Sequence, residues 1–330
     1  MRTLRRQRGV AVITALLLTT LAVTIVASLF WQQQVQVRSM ENQRLQLQTR
    51  WILRGALDLS RLVLNQDLLD SQTVTRINGV WATPLEETRL DDYIERERQE
   101  GESFNATLAG RMMDAQSRFN LTNLAAGRVV DTTELTVFQR LLENLKLESS
   151  LARPVAEMVA STQKVAAGPP PPGGGGQTAP QQSNGAEPME LLRVEDLLAV
   201  SGFTPQVIER LRDYVIILPA KIRVNVNTAP PELISALIPN LSLSDAASVV
   251  NTRDRGAYYR NLQDFKAQPA VKAALDLGAS AGATVSEFVV KSDYFLAFSQ
   301  VRLDRAALGT QSLLWRPGAP TTSVVWIREN

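Results

Sequence analysis

The chain has 330 residues, 35 of them basic and 33 acidic, with no cysteine and no histidine. Disulfides are thereby excluded, as are His-based triads, His metal sites and the usual general base at neutral pH. Four arginines and no acid fall in the first nine residues, so the remainder is slightly acidic. The pI near 9.0 therefore marks the leader and not a nucleic-acid patch.

The leader ends Arg6-Gln7-Arg8-Gly9, and Val10 to Phe30 follows without a charge; the next charged residue is Arg38. At about 1.5 Å per residue, this run spans roughly 30 Å as a helix, the thickness of a bilayer core. Arginines on its N-terminal side place the N-terminus in the cytoplasm. A removable secretory signal is one alternative, since Ala22–Ser28 offers small residues, but the apolar run is long for one. A plain single-span anchor is the other. Neither needs a glycine directly before the apolar run.

No proline interrupts the chain from Val10 to about Leu64, which reads as one long helix with Gly55 as a weak breaker. Its second half is amphipathic: Leu45, Ile52, Ala56, Leu59 and Val63 form a stripe, with Arg44, Arg50, Arg54, Asp58 and Arg61 elsewhere. Such a stripe packs most simply on a sheet. The helix is expected to end between Asn65 and Pro84, where Asn78-Gly79 signals a turn. The charge-dense residues 85–103 read as a solvated helix. Phe104–Met113 alternates as a strand, with a turn near Asp114–Ser117 and a short partner strand at Arg118–Leu121.

Helical patterning then takes over, with helices over Glu134–Leu145 and Arg153–Gln163. Gly168–Pro188 holds six Gly and six Pro and reads as a loop without a core. Two similar segments follow, Leu191–Phe203 and Val224–Leu237. In the second, Thr228 is expected to cap a helix whose first turn carries Pro230, Pro231 and Glu232. Short helices continue over Ser244–Asn251 and Leu262–Phe265. Strands close the chain at Tyr294–Leu303, Gln311–Arg316 and Val324–Arg328, with turns at Gly309 and Pro317–Pro320. They form a meander that needs a cover, for which the amphipathic half of the first helix is the natural candidate.

The basic leader, Gly9, the apolar helix and the C-terminal meander together resemble type IV pilin-like proteins. Within them the chain resembles the K family of minor pseudopilins of bacterial type II secretion systems. The marks are RQRG before VAVITALLL, RFNLTNLA at Arg118–Ala125, RVNVNTAPPEL at Arg223–Leu233, and an inserted helical region. The resemblance implies an α+β fold: a pilin-like long N-terminal helix on a small antiparallel sheet, with a large inserted all-α domain that is SAM-like or helix-hairpin-helix-like. The expected organisation is leader 1–9, helix 10–65 with 10–30 in the membrane, a pilin-like head from 66–121 and 284–330, and the insertion at 122–283 with the loop 168–188.

The family implies cleavage by a prepilin peptidase between Gly9 and Val10, followed by N-methylation of Val10. The subunit would sit in the bacterial inner membrane with its C-terminal domain in the periplasm. Most pilin-like subunits carry a glutamate at the fifth mature position, as counter-ion to the N-terminal amine of the subunit already added. Here that position is Thr14, which offers no counter-charge and implies that nothing sits above it. The implied role is a filament-tip protein that primes or caps the pseudopilus and catalyses nothing. Implied partners are the minor pseudopilins I and J, with H as a further candidate, the major pseudopilin G, the prepilin peptidase and the inner-membrane assembly platform. Family members can bind calcium through acidic loops. Ser161–Pro188 holds only Glu187 as an acid, so that site is expected to be weak or absent, and no ligands are named.

Two other classes compete. RVNVNTAPPELISAL resembles the first helix of a helix-hairpin-helix module of membrane-anchored DNA receptors. The connection that needs Gly-x-Gly reads Pro239-Asn-Leu-Ser-Leu-Ser244, however, and the ectodomain is acidic. An anchored enzyme is the third class. Its candidate acid pairs, Asp91/Asp92 and Asp114/Asp131, lack a spacing peculiar to any mechanism.

Overall fold

The computed structural model describes residues 8–92, 105–163, 189–318 and 321–329. Its longest element is helix α1, Arg8–Asp70, which ends within the window expected between Asn65 and Pro84, five residues past the outline bound of 65. A turn at Asn78-Gly79 follows, where the Gly79 amide donates to the Arg76 carbonyl at 3.1 Å.

The sheet has five strands: β1 (Leu85–Arg89), β2 (Ala106–Asp114), β3 (Tyr294–Leu303), β4 (Ala306–Trp315) and β5 (Ser323–Glu329). They lie in the order β1-β2-β3-β4-β5, every pair antiparallel. The step from β2 to β3 crosses about half of the chain, and the residues between them carry the helices. One sheet face receives α1: Leu64 packs with Phe295, Ala297 and Leu314, and Leu53 and Ala56 pack with Leu108 and Val301. On the opposite face Leu296, Leu313 and Tyr294 meet Ile216 and Leu218 from the helical region. The sheet-facing side of α1 overlaps the expected stripe at Ile52, Ala56 and Val63, but Leu59 is exposed, and Leu53, Leu57 and Leu64 supply the rest of the contact.

The helical region contains α2 (Thr132–Asn144), α3 (Ala152–Thr162), α4 (Pro205–Leu211), α5 (Pro231–Leu237), α6 (Leu243–Asp254), α7 (Leu262–Lys266) and α8 (Pro269–Ser280). The largest apolar cluster of the protein holds them together, with Phe119 stacked on Phe138 at 5.5 Å and Phe265 edge-on to Phe288 at 5.2 Å.

Four expectations from sequence need correction. Residues 85–103 do not begin as a helix, because Leu85–Arg89 pairs with β2 as an edge strand whose charges face water. Residues 93–104 of that stretch lie outside the described residues. Phe119–Asn120 does not pair with β2; it runs parallel to Val215–Ile216 and belongs to the helical region. Gly309 does not turn the chain, since it pairs with Gln300 in mid-strand, and the hairpin turns at Asp304, which accepts a φ of 50°. Thr228 does not cap α5: Pro230 occupies the cap position, and the threonine hydroxyl is used elsewhere. The Gly168–Pro188 loop lies outside the described residues.

Candidate functional site

The N-terminal half of α1 is the first candidate. It is long and apolar enough to cross a membrane, with a mean hydropathy of 2.4 over its best window and none of that window buried. Gly9 and Val10 lie in the first turn of α1. Thr14 donates its hydroxyl proton to the Ala11 carbonyl at 3.0 Å and brings no charge. Thr19, Thr20 and Thr24 likewise donate to carbonyls three or four residues back, which satisfies each hydroxyl within its own helix. Val12, Leu16, Leu17 and Leu21 are all exposed along this half of the helix, an apolar surface that water does not stabilise.

The second candidate is the junction between the sheet and the helical region, where both motif segments converge. Asp114 ends β2 and is buried. Its carboxylate accepts from the Ser292 hydroxyl at 2.6 Å, the Thr228 hydroxyl, the Asn225 amide at 3.1 Å and the Gln116 backbone amide at 2.8 Å. Burial pushes the Asp114 carboxyl above its ordinary value, against the pull of these four donors. Asn225 also donates to the Thr75 carbonyl at 3.1 Å, so the segment after α1, the end of β2 and the NVNTAP motif meet at one side chain.

The remaining motif asparagines hold backbones together in the same way. Asn227 donates to the Tyr259 carbonyl at 2.9 Å and accepts from the Tyr259 amide at 2.8 Å. In the RFNLTNLA segment, Asn120 donates to the Ala220 carbonyl at 2.8 Å and accepts from the Leu218 amide at 3.0 Å. Asn123 exchanges both bonds with the Ile222 backbone, at 2.9 and 3.0 Å. These asparagines are buried, and their amides replace the ladder bonds that irregular segments lack.

Arg316 lies beside this network and is fully buried. One guanidinium nitrogen donates to Asp67 and to the Leu64 carbonyl, both at 2.8 Å. The guanidinium also stands 4.6 Å from the Phe295 ring centroid. The C-terminal turn of α1 is thereby fastened to the end of β4. Sequence reading missed this pair, because two charges 249 residues apart leave no local signature.

A polar cleft of about 540 Å³ opens between Asp131 and Lys221 on one side and Glu287 and Lys291 on the other. Four of its charges are paired: Lys221 with Asp131 at 3.1 Å, and Arg223 with Glu287. Burial raises the Glu134 carboxyl although the Ser286 hydroxyl donates to it at 2.6 Å. The suggested acid pairs do not form a site. Asp131 caps α2 through the Thr133 and Glu134 amides, while Asp114 sits in its own cage with different partners. Asp91 and Asp92 lie in a short helical turn after β1. Among the described residues, no three acidic side chains gather in a way that could hold a metal ion. The stretch that carries the calcium expectation lies outside the described residues from 164 to 188.

An apolar helix long enough to cross a membrane that continues into the cover of a small antiparallel sheet gives the chain a pilin-like fold and suggests a single membrane anchor. Two models of type II secretion system protein K match residues 117–220 and 224–286, together half of the chain. The chain belongs to the type II secretion system protein K family. It is 28% identical to type II secretion system protein K of Pseudomonas aeruginosa, over 91% of this chain and 86% of that protein. It is 27% identical to the protein of that name from Klebsiella pneumoniae, over 95% of this chain and 94% of the relative. The fold matches a chain in the crystal structure of the GspK-GspI-GspJ complex of enterotoxigenic Escherichia coli. That match has a TM-score of 0.65 at 18% identity and covers 88% of this chain and 99% of the other.

Proposed function

We propose that this protein is the tip subunit of a type II secretion pseudopilus, where it primes or caps assembly for export of folded proteins from the periplasm. The observation that carries this reading is Thr14. An uncharged residue in the apolar helix presents no carboxylate to the N-terminal amine of a subunit above, and an amine buried without a counter-ion is expensive. The helical region between β2 and β3 supports the same position, because its bulk would obstruct a subunit stacked on the head. In this reading the apolar half of α1 anchors the chain in the inner membrane, N-terminus inside, after a prepilin peptidase has cut between Gly9 and Val10.

The partners are the I and J minor pseudopilins, as in the solved complex of relatives, with H and the major pseudopilin G as further contacts. The protein acts by binding and catalyses no reaction. A DNA-receptor reading is not favoured: Asn225, Asn227 and Ala229 of the motif that suggested it are fully buried and face protein, not a phosphate backbone. Sedimentation of the soluble heads of this chain and of I and J, alone and mixed, tests the proposal. A ternary species is expected; three independent boundaries at micromolar concentration would overturn the partner assignment.

A further inference from the structure

The face of the sheet turned away from α1 carries a hollow of about 590 Å³. Its floor is made of small residues. Ala109 of β2 and Gly309 of β4 both pair with Gln300 of β3, and Ala307 lies one step further on the same face. Their strand neighbours Leu108 and Val301 point the other way, onto α1. Gly309 lies inside β4 and is not among the glycines of positive φ, so neither a turn nor backbone strain asks for a glycine there. A glycine within a strand otherwise marks the close approach of another group. Phe298 and Arg111, paired across β3 and β2, wall the hollow, with the guanidinium 4.9 Å from the ring centroid.

Among the described residues Arg111 is the single charge that lines the hollow, and no acid lines it. Arg118, the first residue of the RFNLTNLA segment, stands near enough for the two charges to act on each other. Its side chain is 12% exposed and Asp213 reaches it at 3.5 Å, while its Nε is buried without a hydrogen-bond partner among the described residues. Burial lowers the Arg118 guanidinium, Asp213 opposes this, and the charges of Arg111 and Arg212 lower it further. Arginines that disfavour one another beside an acid-free hollow leave a positive potential on a head that is slightly acidic as a whole.

We propose that this hollow binds an acidic peptide segment of another protein, with a carboxylate on Arg111 and an apolar side chain against Phe298 above the Gly309 floor. A planar guanidinium meets a carboxylate through two parallel bonds, and stacking on Phe298 holds that of Arg111 ready for them. The hollow reaches from Leu85 of β1 to Gly309 of β4. Three strand spacings are roughly 14 Å, the length of about four extended residues. A lipid headgroup also offers an oxyanion but stands too far away. Gly110 and Arg111 lie level with Ala56 and Ser60 of α1, which follow the end of the apolar run at Phe30 by roughly 40 Å of helix. The site does not depend on which subunit stands above or below this one.

Calorimetric titration of the full chain in nonionic micelles tests the site. The probe is a peptide of about six residues, glutamate and leucine in successive pairs, so that each face of the extended chain carries both. Its counterpart has glutamine in place of glutamate. The glutamate peptide is expected to bind about ten-fold more tightly than the glutamine one, as a charge-assisted contact should. Arg111→Met, at an exposed position, is expected to remove that advantage, and Gly309→Leu, which fills the floor, to weaken binding about ten-fold. Arg302→Met changes another exposed arginine of the same face, paired with Glu87 at 4.0 Å, and should leave binding unchanged. Equal binding of the two peptides, indifference to Arg111→Met, an equal loss with Arg302→Met, or binding of inorganic phosphate but of neither peptide would each overturn the proposal.

Discussion

Replacing Arg316 with methionine isolates the buried pair that fastens α1 to the sheet. Methionine keeps much of the volume and the contact with Phe295 but removes every donor. Asp67, itself 5% exposed, then loses its 2.8 Å partner and stays in a site with little water. The Leu64 carbonyl loses its 2.8 Å bond to the guanidinium as well. Breaking a buried pair from one side costs about 3–5 kcal/mol, because a charge is left uncompensated. The double variant Asp67→Leu with Arg316→Met removes both charges, and most of that loss should return, since an apolar replacement of a buried pair is often neutral. Urea unfolding of the soluble head, followed by tryptophan fluorescence, measures both, because Trp81 packs on Phe295 beside the pair, with ring centroids 5.4 Å apart. A midpoint for Arg316→Met unchanged within error, or a double variant less stable than the single, would refute the reasoning.

Three further outcomes follow from the same structure. Since burial raises Asp114 in the folded state, the native protein holds its proton to higher pH than the unfolded chain; this carboxyl therefore lowers stability as pH rises above about 4, and Asp114→Asn should remove that downward slope from a stability–pH profile. A methyl group at Gly79 would lie 2.6 Å from the Trp81 indole nitrogen and 2.7 Å from Asp67, so Gly79→Ala should cost about 1–3 kcal/mol in urea unfolding, whereas Gly55→Ala meets no atom within 4 Å in mid-helix and should gain about 0.5–1 kcal/mol. Intact-mass spectrometry of membrane-extracted protein with a co-expressed prepilin peptidase should find a chain starting at methylated Val10, and Gly9→Val should keep residues 1–9 in place.

The elements legible in the sequence were those whose signal is local and periodic. The apolar run after Gly9 and the Tyr294–Leu303 strand follow from spacing alone, and the strand has the bounds read from the sequence; the sheet-facing side of α1 was legible only in part, since Leu59 faces outward. The pilin-like arrangement followed from their order together with the RFNLTNLA and NVNTAP marks. Illegible were the features fixed by residues distant in sequence. Residues 85–89 are charged enough for a solvated helix, yet Glu87 accepts from Thr107 at 2.8 Å across a strand pair, and pairing with β2 decides their conformation. Thr228 has the chemistry of a helix cap, but its hydroxyl donates to the buried Asp114 carboxylate, and Pro230 stands at the cap position. Gly309 resembles a turn residue, while the turn went to Asp304, whose amide is held by the Asn105 carbonyl at 3.1 Å. For the candidate site, the spanning helix and Thr14 were readable, whereas the Asp114 cage and the Asp67–Arg316 pair needed the fold to bring four separate segments together.

The central claim, that this subunit occupies the filament tip, is tested most directly by immunogold electron microscopy. Pseudopili would be raised by overproducing the major pseudopilin, with an epitope placed after Asn330 of this chain. The account predicts gold at one end of each labelled filament and nowhere along its length. Label distributed along the shaft would contradict it, for then subunits sit above Thr14 and above the helical head alike.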